Sequence, residues 1–304
     1  MYEDDSPVGS LVHLYFDGAF NRRELIRRVA GHTGSLATAA AVVAGMGVGE
    51  AQQLACPDDV RVPADAPDLV TQDVQFPGDA GMLFGYTAQL RTDDPSPIPG
   101  VLVIHQNRGL VDYIKDVTRR VARAGYVGVG IDLLSRQGGT QQFTDPVTQM
   151  QAYNRTTQDQ RRADLISTVA YMKTLSSIQP GALGAVGFCA GGGNCFDLAV
   201  NSRDIGAAVV FYGAPPAPIE MLDNLAGPLL GHYAELDRNL TGQTPTIISG
   251  LLTRGKTFGL HIYQGVNHAF HDDTGPAYDP AAACDAWSRT IAWFDKFLKP
   301  KATG

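Results

Sequence analysis

The chain has 304 residues, 44% of them hydrophobic and 18% charged, an ordinary globular composition that excludes a collagenous, coiled-coil or wholly disordered protein. Its 24 basic and 31 acidic residues give a net charge of −7, so no positive field draws it onto nucleic acid or anionic lipid. Four scattered cysteines without CxxC spacing exclude a disulfide scaffold and a zinc site, which leaves at least one thiol for chemistry.

Residues 1–56 differ from the rest of the chain in their charge pattern. Arg22 and Arg23 belong to a basic run, and the stretch from Val29 to Gly49 contains no Asp, Glu, Lys or Arg. This order is typical of a twin-arginine export signal, although the stretch is too weakly apolar to predict a membrane span. The alternative is a pair of helices, 7–30 and 35–48, that pack on the domain. Export and a cytoplasmic location therefore both stay open.

Residues 57–69 are rich in Pro, Asp and Ala, which predicts a surface linker before a single domain at 70–304. The domain begins with two alternating segments around a Pro-Gly-Asp-Ala-Gly turn, which predict an antiparallel hairpin. Apolar runs then alternate with helical stretches, which predicts an α/β fold with a mainly parallel sheet and helices on both faces. The predicted strands are 70–76, 83–90, 101–105, 126–131, 183–187, 206–212, 228–232 and 257–263, and the predicted helices are 111–124, 159–175, 244–254, 280–298 and one beginning at 189.

The most informative segment runs from Gly187 to Gly191 and places Gly-x-Cys-x-Gly between an apolar strand and a helix. This spacing is typical of a nucleophile elbow, a strained turn that holds its middle residue exposed and needs glycines where backbones approach closely. Cys189 is therefore the predicted nucleophile, and the following helix N-terminus favours a thiolate and an oxyanion. The glycine spacing fits neither a P-loop nor a dinucleotide fingerprint. Cys195 is expected only to pack.

A cysteine nucleophile needs a base and an acid that orients the base, and this strand–helix order supplies them after later strands. His268 follows the predicted strand 257–263, and Asp237 follows the predicted strand 228–232. Both loops are expected at the sheet edge that carries the elbow, so His268 and Asp237 are the candidate base and acid. The rival candidates are His261, His271 and Glu235.

The expected oxyanion hole takes one N–H from Ala190 and a second from the loop Gln106–Gly109, which follows an early strand. Arg108 in that loop could bind a substrate carboxylate through two parallel hydrogen bonds, or it could be an ordinary surface arginine. Gln106 and Arg108 are the candidate substrate-binding residues.

With these motifs placed, the chain from about Val70 to Lys299 resembles the dienelactone hydrolase family of the α/β-hydrolase superfamily. This resemblance implies that Cys189, Asp237 and His268 hydrolyse a small-molecule ester or lactone through a thioester, without metal or organic cofactor. It also implies that the N–H groups of Asn107 and Ala190 bind the oxyanion. The segments that carry the resemblance are 103–109, 125–126, 132–134, 187–192, 232–237 and 265–270.

Because the chain departs from the family pattern at two places, the resemblance does not imply a dienelactone substrate. Gln106 stands where family members commonly carry Glu, and no arginine follows His268 as it does in dienelactone-cleaving members. The acidic segment His271-Asp272-Asp273 instead predicts a rim that disfavours an anionic substrate. Two other functions remain possible at this stage. One is a non-catalytic binding relative, which the complete triad disfavours, and the other is a thiol-dependent acyl transferase.

Overall fold

The computed structural model describes residues 22–36, 38–39 and 61–299, and the chain divides after residue 53 into two compact units. In the first unit, helix α1 (Arg22–Thr33) carries Glu24, whose carboxylate pairs with Arg27 at 2.8 Å and with Arg28 at 3.0 Å. Helix α1 extends three residues beyond the predicted helix 7–30. Apart from residues 34–36 and 38–39, the rest of residues 1–56 lies outside the described residues, so the signal and the helical interpretation both stay predictions.

The second unit is built on one sheet of eight strands in the order β1-β2-β4-β3-β5-β6-β7-β8. Strands β1 and β2 form the predicted hairpin, β2 runs antiparallel to β4, and the remaining pairs are parallel. The predicted α/β fold with a mainly parallel sheet is thereby confirmed. The strands are β1 (Leu69–Gly78), β2 (Gly81–Leu90), β3 (Ile98–Ile104), β4 (Val127–Asp132), β5 (Ile178–Phe188), β6 (Ile205–Phe211), β7 (Leu229–Ala234) and β8 (Phe258–Tyr263).

Helices cover both faces of the sheet, as the buried β3 and β4 strands require. Helices α2 and α8 share one core layer, and α4, α5 and α7 share the other. The helices of this unit are α2 (Asp112–Arg123), α3 (Pro146–Asn154), α4 (Gln158–Met172), α5 (Ala190–Asn201), α6 (Arg238–Thr241), α7 (Thr244–Thr253) and α8 (Pro280–Leu298), with 3₁₀ turns at Ser135–Gln137, Thr140–Gln142 and Ile219–Asn224.

The described part of the predicted linker does not run freely over the surface. Val62 and Ala66 are only 3% and 5% exposed and belong to the core layer of α2. The Val62 N–H donates to Asp116 Oδ1 at 2.7 Å, and its carbonyl accepts from Arg119 Nε at 2.6 Å. Residues 61–66 therefore pack against α2, because two apolar side chains are buried and the helix satisfies the backbone between them.

The cysteines fall into two groups in the described residues. Cys189 and Cys195 are free thiols, whereas Cys284 in α8 is disulfide-bonded. Cys56 lies outside the described residues.

Among the helices described, none is long and apolar enough to cross a bilayer.

Candidate active site

Cys189 sits in the turn between β5 and α5 with φ 56° and ψ −120°, a left-handed conformation that is rare for a side-chain-bearing residue. Cys189 can adopt this turn because Gly187 and Gly191, two residues to either side, lack side chains. A Cβ on Gly187 would lie 2.0 Å from the Gly191 carbonyl oxygen, and one on Gly191 would lie 2.3 Å from the His105 carbonyl oxygen. The Cys189 N–H donates to Phe211 O at 3.0 Å, which ties the turn to β6.

The two free thiols differ in their surroundings. Cys189 is half-buried at the N-terminus of α5, where unpaired N–H groups point outward. Cys195 is fully buried one and a half turns later, and burial raises the pKa of its thiol to about 12. Cys195 is therefore a packing residue, and Cys189 is the thiol that a substrate can reach.

His268 lies in the loop after β8, and its Nδ1 is 2.5 Å from Asp237 Oδ2. Burial lowers the pKa of His268, but its hydrogen bonds to Cys189 and Asp237 and the charges of both groups raise it to about 9. The structure thus brings together the predicted nucleophile, base and acid. A cationic imidazole between a thiol and a carboxylate is suited to hold Cys189 as a thiolate.

The rival acid, Glu235, has a different partner. Its Oε2 accepts a hydrogen bond of 2.7 Å from the backbone N–H of Gly265, in the loop that leads to His268. Asp237 lies two residues later, in the turn before α6, with its side chain 12% exposed. Glu235 therefore supports the histidine loop, and Asp237 contacts the imidazole.

The rival histidines, His261 and His271, contact other side chains. His261 lies on β8 with its ring stacked on that of His232, and burial lowers its pKa to about 4. His271 is 1% exposed, shares a 2.7 Å hydrogen bond with the Tyr113 hydroxyl, and has a pKa held well below the ordinary value by burial. Both imidazoles are neutral at pH 7, and both contact other aromatic side chains of the protein.

The loop after β3 packs against the first turn of α5, as the close approach of the His105 carbonyl to Gly191 shows. Asn107 follows His105 by two residues in the same loop, and its N–H stays a predicted donor to the oxyanion. Gln106 is 8% exposed, and its Nε2 has no hydrogen-bond partner among the described residues. A buried amide donor without a partner is costly, so it is suited to a substrate or a water molecule.

The predicted acidic rim is wrong, because both carboxylates are buried and paired. Asp272 is 4% exposed and accepts from the N–H and hydroxyl of Thr274 at 3.0 and 2.6 Å. Arg108 Nη2 lies 3.7 Å from Asp272 Oδ2, and Arg120 donates to Asp273 at 2.8 Å. Charge on this segment therefore gives no argument against an anionic substrate.

Two tyrosines that the sequence analysis did not select lie near Cys189. Tyr212 is fully buried after β6 with φ 39°, and its ring centroid is 4.8 Å from that of His268. Tyr153, on α3, accepts a 2.8 Å hydrogen bond from Asn194 Nδ2. Burial raises the pKa of Tyr153, and the charge of Cys189 raises it further. Tyr212 could have been found because it directly follows a parallel strand, as Cys189 does.

The described residues contain no group of three or more His, Cys, Asp or Glu side chains that could hold a metal ion. The candidate groups that the structure brings together are a thiol, an imidazole and a carboxylate, a set that can serve acyl transfer.

The chain is similar to several known proteins. A putative carboxymethylenebutenolidase of Methylorubrum extorquens is 29% identical over 248 residues, which cover 78% of this chain and 84% of that protein. A putative carboxymethylenebutenolidase of Saccharolobus solfataricus is 32% identical over 239 residues, which cover 67% of this chain and 91% of that protein. The crystal structure of a putative dienelactone hydrolase from Klebsiella pneumoniae superposes with a TM-score of 0.69 at 26% identity, covering 75% of this chain and 99% of that chain.

The sequence profile of the dienelactone hydrolase family matches residues 86–298, which contain the whole parallel part of the sheet and every candidate site residue. The chain therefore belongs to the dienelactone hydrolase family, within the α/β-hydrolase superfamily, and is an ester or lactone hydrolase.

Proposed function

We propose that this hydrolase cleaves carboxylic esters or lactones through the triad Cys189, Asp237 and His268 and a covalent thioester. The observation that carries the proposal is the continuous contact from the Cys189 thiol through the His268 imidazole to Asp237 Oδ2, the last step being 2.5 Å. That contact gives a thiolate its counter-ion and gives the imidazole a fixed orientation.

In the first half-reaction the Cys189 thiolate attacks the substrate carbonyl carbon, and the oxyanion binds the N–H groups of Asn107 and Ala190. The carbon–oxygen bond then breaks, and His268 donates its Nε2 proton to the leaving alkoxide. For a lactone the leaving alcohol remains tethered to the acyl group. Asp237 keeps the proton on Nδ1 and so keeps Nε2 directed at the thiol.

In the second half-reaction His268 removes a proton from water, which attacks the thioester and regenerates the thiolate. Gln106 and Arg108 are the residues we expect to contact the rest of the substrate. Gln106 offers a buried amide donor, and the Arg108 side chain is 34% exposed with its nearest carboxylate oxygen 3.7 Å away. Both side chains therefore have donors to spare for a polar substrate group.

The test is hydrolysis of p-nitrophenyl esters of increasing acyl length and of small lactones. We expect Cys189→Ala and His268→Ala to lose roughly 10³-fold or more in kcat, because members of a triad act as a unit, and Asp237→Asn to lose less. Cys195→Ala is the matched control, since that thiol is fully buried, and it should keep most of the activity.

A thioester adds the mass of the acyl group to the peptide that contains Cys189, so mass spectrometry after rapid acid quenching should detect it. Wild-type turnover by a correctly folded Cys189→Ala variant, with folding checked by circular dichroism, would remove Cys189 as the nucleophile. Transfer of the acyl group to an added thiol or alcohol faster than to water would instead indicate the acyl transferase.

A further inference from the structure

The catalytic candidate His268 is carried by a loop of 16 residues, 264–279, that contains no helix or strand. Ala269, directly after His268, has φ 66°, a conformation that costs free energy for any residue with a Cβ. Such a conformation persists only when surrounding contacts fix it. The position of the imidazole therefore depends on the contacts that hold this loop.

One of these contacts is made by Asp273, five residues after His268, whose side chain is 8% exposed. Arg61 donates twice to this residue, from Nε to Oδ2 at 2.9 Å and from Nη2 to the backbone carbonyl at 2.6 Å. Arg120 Nη2, from α2, donates to the same Oδ2 at 2.8 Å. We call Arg61, Arg120 and Asp273 the arginine latch.

The latch is anchored on its N-terminal side by backbone contacts. Val62 donates to Asp116 Oδ1 and accepts from Arg119 Nε, so the residue next to Arg61 is fixed on α2. Asp116 also pairs with Arg120 through its other oxygen, Oδ2. Arg61 thus reaches the histidine loop from a backbone that is itself bound to the core. Arg61 and Asp273 are 212 positions apart in the sequence.

We propose that Arg61 is a positioning residue, which acts through Asp273 to hold the His268 loop in the geometry that pairs the imidazole with Cys189. The inference rests on the proposed function of Cys189 and His268. It assigns to a segment N-terminal to the first strand a role in catalysis at the opposite end of the chain.

The expected consequence of opening the latch follows from the groups that face His268. These are Cys189 from the turn after β5, Asp237 after β7 and the Tyr212 ring after β6. If the loop relaxes, the imidazole moves away from Cys189 and Asp237, and the thiolate loses its counter-ion. Alkylation of Cys189 would then need a higher pH, and turnover would fall because small displacements of a base are costly.

The experiment compares Arg61→Ala, Arg61→Lys and Asp273→Asn in the full chain. Arg123→Ala is the matched control, because Arg123 pairs with Asp68 at 2.9 Å and so joins the same N-terminal segment to α2 at a site away from the histidine loop. The readouts are kcat and KM for a p-nitrophenyl ester, the thermal midpoint, and the pH midpoint of Cys189 alkylation by iodoacetamide without substrate.

We expect Arg61→Ala and Asp273→Asn to lower kcat by about 10- to 100-fold with little change in KM, and to raise the alkylation midpoint by about one pH unit. Arg61→Lys should recover part of both losses, and Arg123→Ala should resemble the wild type. An Arg61→Ala alkylation midpoint and kcat equal to those of Arg123→Ala would overturn the proposal.

The two proposals fail in different ways. Alkylation needs no turnover, so an unshifted midpoint in Arg61→Ala and Asp273→Asn, in an enzyme that Cys189→Ala inactivates, overturns the latch and leaves the triad standing. Turnover that survives in Cys189→Ala overturns both. A fall in kcat that the thermal midpoint explains, with the alkylation midpoint unchanged, marks Arg61 as structural and also overturns the positioning role.

Discussion

At the scale of single residues, the most informative difference from the family pattern is Gln106. A carboxylate at this position would repel a thiolate and keep the thiol protonated at rest. An amide carries no charge, so Cys189 can pass its proton to His268 and rest as a thiolate–imidazolium pair. Burial lowers the pKa of His268, but its contacts with Cys189 and Asp237 raise it to about 9, which favours the imidazolium half of such a pair.

We therefore expect iodoacetamide to alkylate Cys189 in the natural chain rapidly from about pH 6, because low-pKa thiolates react in this range. Gln106→Glu should move the alkylation midpoint upward by like-charge repulsion. Gln106→Met removes the amide without adding charge and should leave the midpoint in place. Superimposable curves for the natural chain and Gln106→Glu would show that this residue does not control the thiol.

At the scale of elements, strands and long helices were predictable from hydrophobic periodicity. Helix α8 (Pro280–Leu298) has the predicted bounds, because Pro280 and the Asp279 cap mark its start and apolar residues recur on one face. The short helix α3 was missed. It has few apolar residues in helical spacing, and it is fixed by Asp145, whose carboxylate accepts from the N–H groups of Val147 and Thr148.

The cap gives a direct prediction for α3. Asp145→Ala should lower the free energy of unfolding, because two helix N–H groups lose their acceptor. Urea unfolding followed by circular dichroism measures this loss. Asp145→Asn retains the acceptor and should restore most of the stability. A stability equal to that of the wild type in Asp145→Ala would mean that packing alone holds α3.

The site was predictable from two rules. The glycine spacing around Cys189 selected the nucleophile, and the rule that loops after parallel strands meet at one sheet edge selected Asp237 and His268 as its partners. Their assignment as a triad stays a proposal. Contacts between distant segments follow no such rule. Arg61 and Arg120 reach Asp273 across 212 and 153 positions, and their charges alone indicate only a solvated surface. The same limit explains why the carboxylates of Asp272 and Asp273 were predicted to be exposed.

At the scale of the whole molecule, buried histidines set the response to acid. His232 and His271 are nearly inaccessible, and burial holds the pKa of each well below the ordinary value. The unfolded chain binds protons on these residues below about pH 6.5, whereas the folded chain does not. The contribution of these two histidines to the free energy of unfolding is therefore fully present above pH 6.5 and is lost as the pH falls.

We expect the free energy of unfolding to fall between pH 6.5 and pH 5, by up to about 1.4 kcal/mol per pH unit for each such histidine. Urea titrations at several pH values measure the slope. His271→Gln should be less stable at pH 7 but should show a shallower slope. A free energy of unfolding that is constant over this range would contradict the burial of these imidazoles in the neutral form.

The burial of Cys195 also determines what oxidation does to this enzyme. A peroxide converts an exposed thiolate to a sulfenic acid, and a nearby second thiol can rescue it by forming a disulfide. In the described residues, the other free thiol is that of Cys195, which is fully buried and protonated, and Cys284 is already disulfide-bonded. A sulfenic acid at Cys189 therefore has no thiol partner among the described residues, and a second molecule of peroxide oxidises it to the sulfinic acid, which is not reduced again by thiols.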